Sequence, residues 1–124
     1  MASTAGDTGL AARYALALFE LADEQKKLDA VAGDLRGLDK ALDESEDLRR
    51  LISSPAISRD DAAKAMGVVL DRMEADALTR NFVGQAAANR RLFALKNIIG
   101  AFLAELARRR GEVVAKVKSA KALS

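Results

Sequence analysis

Apolar positions recur every three or four residues along most of the chain, which is the spacing of one buried face of an α-helix. Six such segments are separated by short polar turns, and the sequence therefore predicts an all-α fold, a compact six-helix bundle over residues 10–110. The predicted segments are Leu10 to Glu24, Leu28 to Leu42, "EDLRRLI" ending before Pro55, a helix starting at Ser58, a helix starting near Asp76, and a last one with Leu92, Leu95, Ile99, Phe102 and Leu106 buried.

Polar residues at the predicted helix ends mark where the helices begin and stop. Ser58 is followed three positions later by Asp61, as in a capping box. Asn89 suits the end of the fifth helix, and Gly111 stands where a left-handed cap would end the sixth. The second helix has a narrow apolar stripe, which predicts packing against one neighbour.

The first helix carries more apolar surface than one packing face requires. Leu10, Tyr14, Leu18 and Leu21 lie on one side of it, and a second apolar side holds Ala15, Phe19 and Ala22. An ordinary surface helix has a single apolar stripe. Either this helix is the centre of the bundle, or a partner helix covers its excess surface. The second interpretation gains support from the fifth helix, where small residues predict a shallow slot, namely Gly84, Ala86, Ala87 and Ala88.

The two chain ends differ from the helical middle. Residues 1–9 read as a flexible tail. After Gly111, apolar residues alternate with others at Val113, Ala115 and Val117, which is the period of a half-buried strand. A single strand is not stable alone, so residues 111–124 are expected to begin a second, truncated domain.

Composition argues against catalysis. The chain has neither cysteine nor histidine, which removes the commonest metal ligands, nucleophile and general base. Paired acids such as Asp60 and Asp61 are better explained as helix caps, and no glycine-rich phosphate loop is present. We therefore expect no catalytic, metal or cofactor site. No apolar run is long enough for a membrane span, and the N-terminus does not resemble a secretory signal.

Five arginines form the strongest basic cluster: Arg90, Arg91, Arg108, Arg109 and Arg110. One hypothesis is that they contact nucleic-acid phosphates. The alternative is that they complement the negative ends of two helices. Phe93 and Phe102 are expected in or near the core, so no aromatic residues interleave with the arginines for base stacking. This favours the second interpretation, and the net charge of +2 is too small to imply a polyanion partner by itself.

Three segments in order resemble one known family. They are "AARYALALFELA", "LRRLISSPAIS" and "NFVGQAAANRRLFALKNIIGAFLAEL" leading into "GEVVAKVKSAKALS". Together they are similar to the delta subunit of bacterial F-type ATP synthases, whose mitochondrial counterpart is the oligomycin-sensitivity-conferring protein. The resemblance extends from about Leu10 to the end of the chain.

The resemblance implies a non-catalytic stator subunit of the peripheral stalk, on the cytoplasmic face of the bacterial inner membrane. It implies two partners: N-terminal helices of alpha subunits, and b-type stalk subunits bound through the missing second domain. Nucleic acid and membrane insertion are not expected. The implied alpha-subunit site is a groove between the first and fifth helices, and carrying it onto this sequence gives six residues, namely Ala11, Tyr14, Leu18, Asn81, Gln85 and Ala88.

Overall fold

The computed structural model describes residues 9–111, and within them it confirms an all-α bundle of six helices. The predicted N-terminal tail, over residues 1–8, and the predicted strand after Gly111 lie outside the described residues. The helices are α1 (Ala2–Glu24), α2 (Leu28–Glu44), α3 (Glu46–Ser53), α4 (Arg59–Met73), α5 (Ala77–Ala88) and α6 (Leu95–Leu123).

The centre of the bundle is the contact between α1 and α6. The Phe19 and Phe102 rings lie 5.3 Å apart in a tilted arrangement, and both side chains are buried. On α1 the neighbours of Phe19 on this face are the small residues Ala15 and Ala22, also buried, which let α6 approach closely. The Arg109 guanidinium lies 4.5 Å from the centre of the Phe19 ring and covers this contact from outside.

Helix α2 packs more widely than its narrow stripe predicts. Its large buried residues, Val31, Leu35, Leu38 and Leu42, have no exposed surface. Helix α2 contacts α6, α3, α1 and α5, so the prediction of a single neighbour is wrong. A helix at the centre of several crossings buries its stripe by meeting a different neighbour at each turn.

Ion pairs join the polar side of α2 to α6. The Lys96 ammonium lies 2.6 Å from the Asp43 carboxylate and 3.0 Å from that of Asp39. The pKa of Lys96 is raised above its ordinary value by its hydrogen bonds to these two carboxylates, and the bond to Asp43 has the larger effect. Further along α6, Arg110 pairs with Asp29 at the start of α2.

Side-chain caps begin three helices where the sequence carries a serine or aspartate. The Ser58 hydroxyl accepts a hydrogen bond from the Asp61 N–H (3.1 Å), and the Asp76 carboxylate accepts from the Leu78 N–H (3.0 Å). Ser45 does the same for α3. The predicted starts at Ser58 and Asp76 are confirmed, as is the predicted cap at Asn89.

Three helices end in left-handed turns that lack glycine. Lys26, Glu74 and Arg90 have φ between 55° and 59° and follow α1, α4 and α5. After each of them the next N–H bonds back five residues, as in a Schellman motif; the bond from Arg91 to the Ala86 carbonyl is 2.7 Å. No glycine within residues 9–111 has positive φ, so the left-handed cap predicted at Gly111 is wrong.

The start of the last helical segment also differs in detail from the prediction. Leu92–Ala94 form a 3₁₀ turn, and α6 begins at Leu95. Leu92 is buried as expected, but the Phe93 ring is 48% exposed, so its expected place in the core is wrong. It borders a second, smaller groove of about 300 Å³ beside the α3–α4 turn. The tighter 3₁₀ turn rotates Phe93 out of the helical register that predicted its burial.

Among the helices of residues 9–111, none is both long and apolar enough to cross a membrane.

Candidate functional site

A long open groove runs between α1 and α5 and has a volume of about 960 Å³. The two helices are antiparallel, because Lys27, just after α1, pairs with Asp76 at the start of α5, while Tyr14 lies beside Asn89 at the end of α5. The lining residues from α1 and the turn after it are Leu10, Arg13, Tyr14, Ala17, Leu18, Leu21, Gln25 and Lys27. Those from α5 and its caps are Asp76, Ala77, Leu78, Asn81, Phe82, Gln85 and Asn89.

The middle of the groove is apolar and aromatic. The Tyr14 and Phe82 rings meet edge to face, with centres 6.2 Å apart and planes at 73°, and both side chains are half-buried. Leu18 and Leu78 form the floor, with 2% and 8% of their surface exposed. Leu21 stands at the rim and is 41% exposed. The groove therefore offers an apolar floor and exposed apolar edges without an occupant from residues 9–111.

Polar groups close the two ends of the groove. At one end the Lys27 ammonium lies 3.2 Å from the Asp76 carboxylate. The pKa of the Asp76 carboxyl lies below its ordinary value, mainly because of the hydrogen bond from the Leu78 N–H and secondly because of the one from Lys27. At the other end the Asn89 amide nitrogen donates to the Tyr14 hydroxyl across 3.5 Å. The ends are thus polar, and the pair at the α5 start is neutral overall.

The position of α5 depends on a carboxylate from α2. One oxygen of Asp34 accepts two hydrogen bonds, from the Asp76 N–H (2.8 Å) and from the Thr79 hydroxyl (2.7 Å). Thr79 is completely buried, and it is the only buried polar residue among those described. Asp34 therefore supplies the acceptor that Thr79 needs in the interior, and it attaches the first turn of α5 to α2.

The structure brings together four of the six residues carried over from the family resemblance. Tyr14 and Leu18 from α1 and Asn81 and Gln85 from α5 all line the groove. Ala11 is buried in the core with 2% of its surface exposed and does not line the groove. The sixth residue, Ala88, is exposed outside the lining.

Several residues that shape the groove are not among the six carried over from the family resemblance. Leu10 and Asn89 occupy the positions that Ala11 and Ala88 were expected to fill. Phe82 is not among the six either, although it is aromatic and lies three residues, about one helical turn, before Gln85. Arg13 also lines the groove and is likewise absent from the six. Its significance depends on where α5 lies, which no local pattern reports.

The predicted slot of small residues on α5 is wrong. Ala86 and Ala87 are buried and face the core, while Gly84 and Ala88 do not line the groove. Small residues elsewhere make the groove deep. Ala17 on α1 and Ala77 on α5 are both exposed in its lining, and neither fills the space between the helices.

The five arginines of the basic cluster do not form a common surface for a polyanion. Arg108 and Arg109 both bond to Glu105, whose pKa falls to about 2 because of these hydrogen bonds, and Arg110 pairs with Asp29. Arg90 and Arg91 lie in the turn before the 3₁₀ segment, at the opposite end of α6. The nucleic-acid hypothesis is therefore not favoured.

No cluster of acidic side chains within residues 9–111 has the arrangement of a metal site.

Comparison with known proteins identifies related sequences. Residues 10–124 match the family model described as "ATP synthase delta (OSCP) subunit". The "ATP synthase subunit delta" of Rhodospirillum centenum is 58% identical over 119 residues, which is 96% of this chain and 64% of that protein. The protein of the same name from Rhodospirillum rubrum is 52% identical over 120 residues, again 64% of its length. The chain thus spans just under two thirds of these relatives.

A solved structure agrees with the sequence comparison. A chain in the cryo-EM structure of the Toxoplasma gondii mitochondrial ATP synthase hexamer superposes with a TM-score of 0.71 and is 34% identical. The match covers 75% of this chain and 52% of that one. The resemblance carried by the three sequence segments is confirmed, and this chain belongs to the ATP synthase delta (OSCP) subunit family.

Proposed function

We propose that this chain is the head-binding part of a non-catalytic stator subunit, and that the α1–α5 groove holds the N-terminal helix of an alpha subunit. In this proposal residues 10–110 form the binding domain, and residues 111–124 begin a second domain that engages b-type stalk subunits. The subunit acts as part of the peripheral stalk of a proton-translocating ATP synthase, on the cytoplasmic face of the bacterial inner membrane.

The observation that carries the proposal is the apolar groove with exposed edges. Phe82 and Tyr14 are only half-buried, and Leu21 is 41% exposed, so a guest side chain laid over them would remove apolar surface from water. An amphipathic helix docks into such grooves through residues spaced by three or four. Fully burying one large apolar side chain contributes about 1.5–3 kcal/mol.

That magnitude suits a static link. Four anchors at the upper end of that range would contribute about 12 kcal/mol, which is the free energy that nanomolar binding requires. A stator connection transmits torque without doing chemistry, so slow dissociation matters more for it than rapid exchange. Tyr14 is the central anchor in this proposal because its ring faces Phe82 across the groove.

Titration of the chain with a peptide that spans the N-terminal helix of the alpha subunit from the same organism tests the proposal. Tyr14→Ala should weaken binding by about 1–3 kcal/mol, the range for a truncated aromatic anchor. The matched control is Phe93→Ala, which removes an exposed ring outside the groove. Circular dichroism checks that both variants remain folded. Equal affinity of wild type and Tyr14→Ala would exclude the groove as the alpha-subunit site.

A further inference from the structure

The charges along the groove are unevenly distributed. Three charged side chains line it: Arg13, Lys27 and Asp76. Lys27 and Asp76 form an ion pair at one end and neutralise each other. Arg13 is exposed and makes no hydrogen bond or ion pair with any residue in the part of the chain that the structure describes. One uncompensated positive charge therefore lies in the groove, near the end where Tyr14 meets Asn89.

Within residues 9–111, the groups at this end of the groove do not supply a partner for Arg13. The last carbonyls of α5, which lie at this end of the groove, already accept other hydrogen bonds. Those of Gln85, Ala86 and Ala87 accept from backbone N–H groups of the capping turn, and that of Ala88 accepts from Arg59 across 3.2 Å. On α1, the described positions three and four residues from Arg13 are apolar or glycine, so no acid stands at helical spacing.

We propose that the groove selects a helix that carries a carboxylate beside its apolar stripe, and that Arg13 binds this carboxylate. The inference rests on the proposed function, since it concerns the occupant of the same groove. A guanidinium pairs with a carboxylate through two parallel hydrogen bonds, which fixes orientation as well as adding affinity. Because the uncompensated charge is at one end only, a guest with its acid at one end is held in one direction.

The geometry sets where the acid must lie on the guest. From Arg13 to the end of α1 at Glu24, the helix rises about 16 Å, or roughly three turns. A guest helix that follows the groove over this length places its apolar anchors against Tyr14, Phe82 and Leu21. The carboxylate of the guest then lies at the Tyr14 end of its apolar stripe. At the opposite end the Lys27–Asp76 pair is already neutral, so a second charge there gains little.

The test uses the alpha-subunit N-terminal peptide and a set of variants in which each acidic residue is changed singly to its amide. Arg13→Gln should bind the unmodified peptide about 3- to 10-fold more weakly at low ionic strength, and the difference should shrink at high salt. Arg72→Gln is the matched control, because Arg72 is also exposed but lies on α4 outside the groove. It should bind like wild type at both salt concentrations.

A double-mutant cycle identifies the contact. One amide peptide should bind the wild-type chain about 3- to 10-fold more weakly than the unmodified peptide does. The same peptide and the unmodified peptide should bind Arg13→Gln equally, since both changes remove the same ion pair. Arg13→Gln binding as tightly as wild type, or all amide peptides binding equally, would overturn this inference while leaving the groove as the site. If no peptide binds wild type, the proposed function fails and this inference with it.

Discussion

Replacing Asp34 with alanine tests whether one carboxylate holds α5 in place. The change removes the acceptor of two donors, the Thr79 hydroxyl and the Asp76 N–H. Leaving a buried donor without a partner costs about 1–3 kcal/mol. The cost for the Thr79 hydroxyl is in the upper part of that range because Thr79 is fully buried. The cost for the Asp76 N–H is in the lower part because this group is only partly buried. We therefore expect Asp34→Ala to lower the free energy of unfolding by about 2–4 kcal/mol, a large share of the roughly 5–15 kcal/mol of a typical domain.

Urea unfolding followed by circular dichroism measures this loss directly. Asp34→Asn keeps a carbonyl oxygen of the same shape and should lose much less than Asp34→Ala. The control is Asp39→Ala, which removes another α2 carboxylate that pairs with a different helix at the surface. Lys96 keeps Asp43 as its partner in that variant, so the expected loss is under about 1 kcal/mol.

The partner of Asp34 can be identified by combining substitutions. Thr79→Val removes the hydroxyl donor, and in its presence Asp34→Ala should cost about 2 kcal/mol less than in the wild-type chain, because the more deeply buried donor no longer goes unsatisfied. An Asp34→Ala chain as stable as Asp34→Asn would refute the reasoning, since it would mean that solvent satisfies both donors.

Two further predictions concern the polar surface and the helix interiors. The pKa of the Glu105 carboxyl is about 2 in the fold against an ordinary 4.5, so its contribution to stability is present above pH 4.5 and is lost as the pH falls toward 2. Glu105→Gln should therefore flatten the decline in melting temperature over that pH range, and an unchanged decline would remove Glu105 as its cause. Gly33→Ala should stabilise the chain by about 0.5–1 kcal/mol in urea unfolding, because a Cβ there meets nothing within 4 Å. Gly37→Ala should gain less, because its Cβ would lie 3.2 Å from the Met73 methyl carbon; equal gains would show that Met73 moves freely.

The helices could be predicted from sequence because their signals are local. The apolar period, the serine and aspartate caps and Asn89 gave the order of elements and several of their ends. The left-handed turns at Lys26, Glu74 and Arg90 could not, since lysine, glutamate and arginine carry no preference for positive φ. The turn is imposed there by the next helix packing into place, and the cost of the conformation is met by tertiary contacts.

The groove residues show the same division between local and distant information. The predicted residues Ala11 and Ala88 lie three residues from Tyr14 and from Gln85, respectively. The residues that line the groove instead are Leu10 and Asn89, which lie four residues from the same two positions. A position three residues away is rotated by about 300° around the helix axis, and one four residues away by about 400°. Both positions therefore lie near the face of the starting residue, but on opposite sides of it. Which side meets a groove depends on the crossing of α1 and α5, and that crossing is set by residues far apart in sequence.

Asp34 illustrates how one wall of the groove is attached to the bundle and why the groove was hard to predict. It lies 42 residues before Asp76 and 45 before Thr79, so no short pattern links them. Helix α5 is attached at its start by Asp34 and at its end by the bond from Arg59 to the Ala88 carbonyl. Because both ends of this wall are attached within the bundle, an arriving helix need not order it, and less binding free energy is lost to conformational entropy. A preorganised groove of this kind suits the proposed function of a static link, in which the bound helix is held without rearrangement of the site.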